Sequence, residues 1–151
     1  SKAMFTCDKK GNVLTEIFYD AEGNRIVNHE GADEVHYEYN NSQKSSESYF
    51  LNGEAVLCSS GYHTVRYTYN NSNVIIRKDF FDIDGYAVSC KDGYASVAYE
   101  FDAEGRTCCT RYYNIYGEIQ PAPNEIYAYT RKDYNKVLES EICLQHEYNR
   151  I

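Results

Sequence analysis

The nine glycines of this chain fall at 11, 23, 31, 53, 61, 85, 93, 105 and 117, and no other pattern in it narrows the fold as far. Three pairs are eight residues apart, Gly23/Gly31, Gly53/Gly61 and Gly85/Gly93, and they recur 30 and then 32 residues along. Their neighbours recur with them. Phe18-Tyr19-Asp20-Ala21-Glu22-Gly23 returns, one residue shorter, as Tyr49-Phe50-Leu51-Asn52-Gly53. It returns again as Phe80-Phe81-Asp82-Ile83-Asp84-Gly85 and as Tyr112-Tyr113-Asn114-Ile115-Tyr116-Gly117. Past each second glycine, Val35-His36-Tyr37-Glu38-Tyr39-Asn40 matches Val65-Arg66-Tyr67-Thr68-Tyr69-Asn70 and Val97-Ala98-Tyr99-Glu100-Phe101-Asp102. A fourth copy, Tyr127-Ala128-Tyr129-Thr130, is degenerate, with Asn135 in the place of Gly105. A unit of 31–32 residues therefore repeats four to five times over residues 1–151, read as one β-repeat domain. Phe5 to Asn12 fits Tyr99 to Arg106, and Glu147 to Ile151 echoes Glu22 to Ile26. Such ends are those expected of a fragment of a longer array.

The recurring blocks alternate with period two. Val35, Tyr37 and Tyr39 share one side while His36 and Glu38 share the other, and the Val65 and Val97 blocks do the same. Alternation built from β-branched and aromatic residues is the mark of a strand, because successive Cβ atoms point to opposite faces. Between blocks stand Asp8 to Gly11, Asp20 to Gly23, Asn40 to Ser42, Asp92-Gly93 and Asp102 to Gly105. In such turns Asp or Asn caps its own backbone and Gly closes the loop at positive φ, often with a bulge at the glycine. Each unit reads as long, short and long strands, at 74–81, 87–90 and 95–101 in the third copy. No window carries a 3.6-residue apolar face. The fold class is all-β, an antiparallel meander of repeated β-hairpins forming an elongated or coiled repeat sheet, with a closed shell as a further option.

Paired rings make the two faces of that sheet the central question. The chain has 17 Tyr and 6 Phe but no Trp. Adjacent strand residues face opposite sides, so the pairs beginning at Phe18, Tyr49, Phe80 and Tyr112 place rings on both faces. Phe18, Tyr49, Phe80 and Tyr112 form the candidate ligand-binding ladder. If open, they suit stacking on sugar rings or an extended peptide. The same ladder also suits two-sided packing between layers.

Other chemistry is sparse. The formal net charge is −8, which repels a phosphate backbone, and no basic stripe offsets it, so nucleic acid is not an expected partner. No apolar run approaches the ~18 residues of a membrane span, so no membrane insertion is expected. The six cysteines, at 7, 58, 90, 108, 109 and 143, include no Cys-x-x-Cys pair. Cys58 and Cys90 hold equivalent repeat positions, where a disulfide is conceivable. His29, His36, His63 and His146 sit outside any catalytic motif. Asp82-Ile83-Asp84-Gly85 reads as a turn rather than a Ca²⁺ loop, since calcium takes about six to eight oxygens. Asn40-Asn41-Ser42 and Asn70-Asn71-Ser72 are sequons that read first as turns. The only irregularity, Gln120-Pro121-Ala122-Pro123-Asn124, is too short to build a pocket by itself. No catalytic residue, metal or cofactor is expected, and the chain reads as non-enzymatic.

Tyr99-Glu100-Phe101-Asp102-Ala103-Glu104-Gly105-Arg106 resembles the YD repeat of bacterial RHS-type proteins, Tyr-x-Tyr/Phe-Asp-x-x-Gly-Arg/Asn. Phe18 to Asn24 and Phe5 to Asn12 are similar to it, and Tyr37 to Ser42 and Tyr67 to Ser72 are versions with Asn for Asp. The period of 31–32 departs from the family's usual spacing near 20, and no autoproteolytic core segment is visible. The Gly61-Tyr62 and Gly93-Tyr94 blocks look like tandem repeats of bacterial surface proteins, and MORN-type hairpins are a weaker likeness. The resemblance implies β-sheet shells in large cell-surface or secreted proteins. It suggests a repeat segment binding cell-wall or host polysaccharide, or another protein, through the aromatic face. The alternative is a structural spacer or shell wall with no ligand of its own.

Overall fold

The computed structural model describes residues 2–123 and 129–131. They form β1 (Lys2–Cys7), β2 (Val13–Tyr19), β3 (Glu34–Asn40), β4 (Gln43–Leu51), β5 (Glu54–Ala55) and β6 (Thr64–Tyr69). β7 (Ile75–Phe81), β8 (Ser96–Phe101), β9 (Thr107–Tyr113), β10 (Ile119–Gln120) and β11 (Tyr129–Arg131) follow. All eleven belong to one open sheet in the order β1-β2-β3-β4-β6-β7-β8-β9-β10, with β5 on β4 and β11 on β9. Each ladder is antiparallel, from β1–β2 through β8–β9. The fold is thus the all-β meander that alternation and turn spacing call for. No helix of the described residues is long and apolar enough to cross a membrane. The degenerate fourth copy lies largely outside the described residues, as do Asn135, Cys143, His146 and the echo at 147–151.

The turns explain why the chain reverses where it does. The Asp8 carboxylate accepts the Lys10 and Asn12 N–H groups at 2.8 and 2.9 Å, and Gly11 closes the turn at φ 86°. Asp102 and Asp82 repeat that arrangement with Arg106 and Tyr86. In the degenerate turn at 70–73 Asn70 takes the Asp role, accepting from Ser72 and Val74, while Asn73 takes the glycine position at φ 63°. The first sequon asparagine of that turn is therefore a backbone cap. The bulge sits three residues past the glycine, not at it. Thr6 pairs Thr15 and Cys7 pairs Val13, leaving Leu14 extra, and Ser45, Ile76 and Cys108 are skipped in the same way.

The middle strand of each unit is shorter than its sequence suggests. In place of 87–90 there is one bridge, Phe81 to Ala87, and in the first unit one bridge, Tyr19 to Arg25. The reason is a detour. After Val88 N–H bonds the Phe80 carbonyl, the chain leaves the sheet and closes a tight turn, Cys90 N–H to Tyr94 C=O at 2.9 Å. Segments 28–32 and 58–62 make equivalent turns, through Asn28 to Ala32 and Cys58 to Tyr62. These turns lie against one sheet face. They enclose one cluster of Ala32, Val35, Tyr49 and Cys58 and another of Val65, Phe80 and Cys90.

Candidate functional site

The structure places Phe18, Tyr49, Phe80 and Tyr112 on the same sheet face, and it is the face that the turns cover. Tyr49 and Phe80 keep only 7% and 6% of their surface exposed. Phe18 packs half-buried against the Tyr49 cluster, and Tyr112 is half-buried too. The cover contributes rings of its own. Tyr62 stands 6.0 Å from Tyr49 and stacks on Phe80 at 4.6 Å, and Tyr94 stands 5.9 Å from Phe80 and 4.8 Å from Tyr112. A continuous row results, Tyr49-Tyr62-Phe80-Tyr94-Tyr112, in which strand and turn rings alternate. Sequence reasoning missed Tyr62 and Tyr94 as ladder members, although the repeated Gly-Tyr dipeptide was the available signal.

The turns also bond to one another. Ser59 N–H donates to the Glu30 carbonyl at 2.7 Å, Lys91 N–H to the Ser60 carbonyl at 2.9 Å, and Gln120 Nε2 to the Gly93 carbonyl at 2.7 Å. Ser59 and Ser60 hydroxyls further donate to the Glu30 carboxylate, and the Ser59 bond holds that carboxyl below its usual range. The irregular segment from Gln120 joins this cover, with Ala122 buried.

The opposite face carries the other ladder and treats it differently. Phe50 lies between His36 at 4.3 Å and His63 at 5.1 Å. The Arg66 guanidinium lies 4.1 Å over Phe81, and that of Arg77 4.7 Å over Tyr113. Cationic and polar partners shield these rings while remaining wettable. His63 is thus a buried ring whose Nδ1 meets the Val56 carbonyl, and His36 pairs with Glu34 at 2.7 Å.

Beside the ladder run two grooves at equivalent register. Glu16, Glu47 and Lys78 stand opposite Val35, Val65 and Val97 respectively. One groove, about 430 Å³, is lined by Glu16, Glu30 and Glu47 together with Tyr37 and Tyr49. The other, about 350 Å³, is lined by Lys78 and Lys91 with Tyr67 and Tyr99. The Tyr37 hydroxyl donates to Glu16 at 2.9 Å, and the Tyr67 hydroxyl donates to Glu47. Burial, then the neighbouring carboxylate, raises both phenols well above their ordinary range.

The remaining candidates resolve into structure. Cys58 and Cys90 are free, buried thiols in separate clusters, so the conceivable disulfide does not form: each fills the space under its own turn. Asp82 spends its carboxylate on the Asp84 and Tyr86 N–H groups. Among the described residues no three His, Cys, Asp or Glu side chains converge as a metal-ligand group. Tyr86 and Tyr116, 73% and 81% exposed, lie in turns rather than on the ladder, and Phe5, 55% exposed, lies on β1. Neither a protein-family model nor a curated protein matches the chain.

Proposed function

We propose that this chain is a non-catalytic β-repeat segment of a bacterial surface or secreted protein and that it acts as a structural spacer or shell wall. The observation that carries this reading is the alternation of strand and turn rings, with Tyr49 and Phe80 buried and Tyr62 stacked on Phe80 at 4.6 Å. Rings engaged with each other on both sides serve as internal packing between neighbouring units. Recognition across an open ladder would instead need Tyr49 and Phe80 to face water, and they are 7% and 6% exposed. The surface or secreted setting rests on the YD-like turn octets such as Tyr99-Glu100-Phe101-Asp102-Ala103-Glu104-Gly105-Arg106.

A wall built of equivalent units should lose one and stay folded. Removing residues 64–95 joins His63 to Ser96, one full period on. β8 then takes the place of β6 on β4, with Val97 opposite Glu47, where Val65 now stands. The deleted chain is expected to keep its β circular dichroism and a cooperative melt at a lower Tm. Removal of 64–73 instead joins His63 to Val74, sets Arg77 and Asp79 at the covered positions of Tyr67 and Tyr69, and is expected to abolish folding. If the full-period deletion unfolds as completely as the off-register one, the modular wall is refuted.

A further inference from the structure

The two grooves beside the ladder differ in one respect that bears on binding. At two of three equivalent sites a strand tyrosine donates its hydroxyl to a carboxylate on the preceding strand: Tyr37 to Glu16 and Tyr67 to Glu47. The third site keeps the tyrosine, Tyr99, but has Lys78 at the carboxylate's position, opposite Val97 just as Glu16 stands opposite Val35. Among the described residues Tyr99 Oη has no hydrogen-bond partner, and neither Lys78 nor Lys91 has an ion-pair partner. Tyr99 lines the groove together with both lysines, and Asp92 is the one carboxylate among the lining residues. The neighbouring groove carries three carboxylates. The charge of the groove has therefore been inverted, and an internal anion removed, in a protein of net charge −8.

We propose that this groove binds a carboxylate-bearing sugar, a uronic acid unit of an acidic polysaccharide. The sugar's carboxylate takes the place that Glu16 and Glu47 fill at the other sites, accepting from Tyr99 Oη and pairing with Lys78, while Lys91 supplies a second cation at the rim. The half-buried rings of Tyr62 and Tyr94 wall the groove and offer apolar surface to the pyranose C–H groups. A volume of about 350 Å³ fits one or two sugar units, at the small end of ligand sites. Such a site is separate from the wall function, because it uses the groove and leaves the buried ladder intact.

The test titrates the full chain with trigalacturonate, with neutral trigalactose and with a short polyglutamate, by calorimetry. Trigalacturonate is expected to bind and trigalactose not, with affinity falling as salt rises. Lys78→Glu restores the residue type of the other units and gives Tyr99 its internal acceptor, so it should fold at least as well and weaken binding about tenfold or more. Lys91→Gln should weaken it by a smaller factor. No heat from trigalacturonate up to about 10 mM overturns the proposal, as does unchanged affinity in a folded Lys78→Glu protein. Polyglutamate binding as tightly, with the same dependence on Lys78, overturns the sugar in favour of an acidic peptide.

Discussion

Replacing Phe80 with alanine separates a structural ladder from a surface one. Phe80 is 6% exposed and is enclosed by Val65, Cys90, Tyr62, Tyr67, Val88 and Tyr94. A phenyl ring buries at least ~150 Å², worth about 4 kcal/mol at ~25 cal/mol per Å², and measured Phe→Ala losses run about 3–5 kcal/mol. For a chain of this size that amounts to roughly 6–20 °C of Tm. Urea unfolding followed by circular dichroism reads the loss directly, with Tyr86→Ala as the control. Tyr86 is 73% exposed, so its loss should stay within about 0.5 kcal/mol. Because Tyr62 stacks on Phe80 at 4.6 Å, the cycle with Tyr62→Ala should show a coupling of about 0.5–1.5 kcal/mol. A Phe80→Ala loss under about 1 kcal/mol, or no coupling to Tyr62, would refute the claim that the rings bind the cover to the sheet.

Gly61→Ala should cost more stability than Gly23→Ala, the latter about 1–2 kcal/mol from positive φ alone. Both sit near φ 90°, but a Cβ at Gly61 would meet Lys91 N at 3.3 Å, beside the bond that joins successive turns, whereas at Gly23 it meets open space; paired thermal melts check the order. Ser42→Gly should stabilise by roughly 0.5 kcal/mol, since glycine relieves the left-handed strain at φ 68° but loses entropy on folding; chemical denaturation measures it. Alkali should unfold the protein cooperatively. Burial keeps Tyr37, Tyr49, Tyr62, Tyr67 and Tyr94 protonated well above the ordinary phenol value of 10.0. An unfolded chain releases those protons near pH 10, so this stability is full below that pH and falls as pH rises past it. Tyrosinate absorbance from these five should rise in step with the loss of β-sheet signal, and an early rise from a still-folded sheet would count against their burial.

Local features of this fold were legible because they are made by neighbours in sequence. Asp8 with Gly11 and Asp102 with Gly105 spell turns whose hydrogen bonds span two to four residues, and the strands follow from alternation. What was not legible depends on where the detours go. Phe80 and Phe81 are equally aromatic, so composition alone leaves open which of them a turn will cover. The same turns shorten the middle strand to a bridge, because a chain leaving the sheet at Val88 cannot continue the ladder. The place of Lys78 was not legible either, because only the register sets it where Glu16 and Glu47 stand in the other units.

The choice of covered face nevertheless has a cause written in the alternating blocks. Val35, Val65 and Val97 stand directly opposite Tyr49, Phe80 and Tyr112 across β3–β4, β6–β7 and β8–β9. Each valine leaves the space beside its ring small and apolar, so a turn carrying Ala32, Cys58 or Cys90 can settle there without burying an unpaired polar group. The other face puts His36, Arg66 and Ala98 in the alternate positions, and charged or imidazole groups under a dry cover would need partners that the short turns do not bring. A slip of one residue in β3–β4 would set His36 against Tyr49 and carry Val35 to the wet side. Register, covered face and ladder are therefore one decision, made by the valines and only then finished by the tyrosines that follow Gly61 and Gly93.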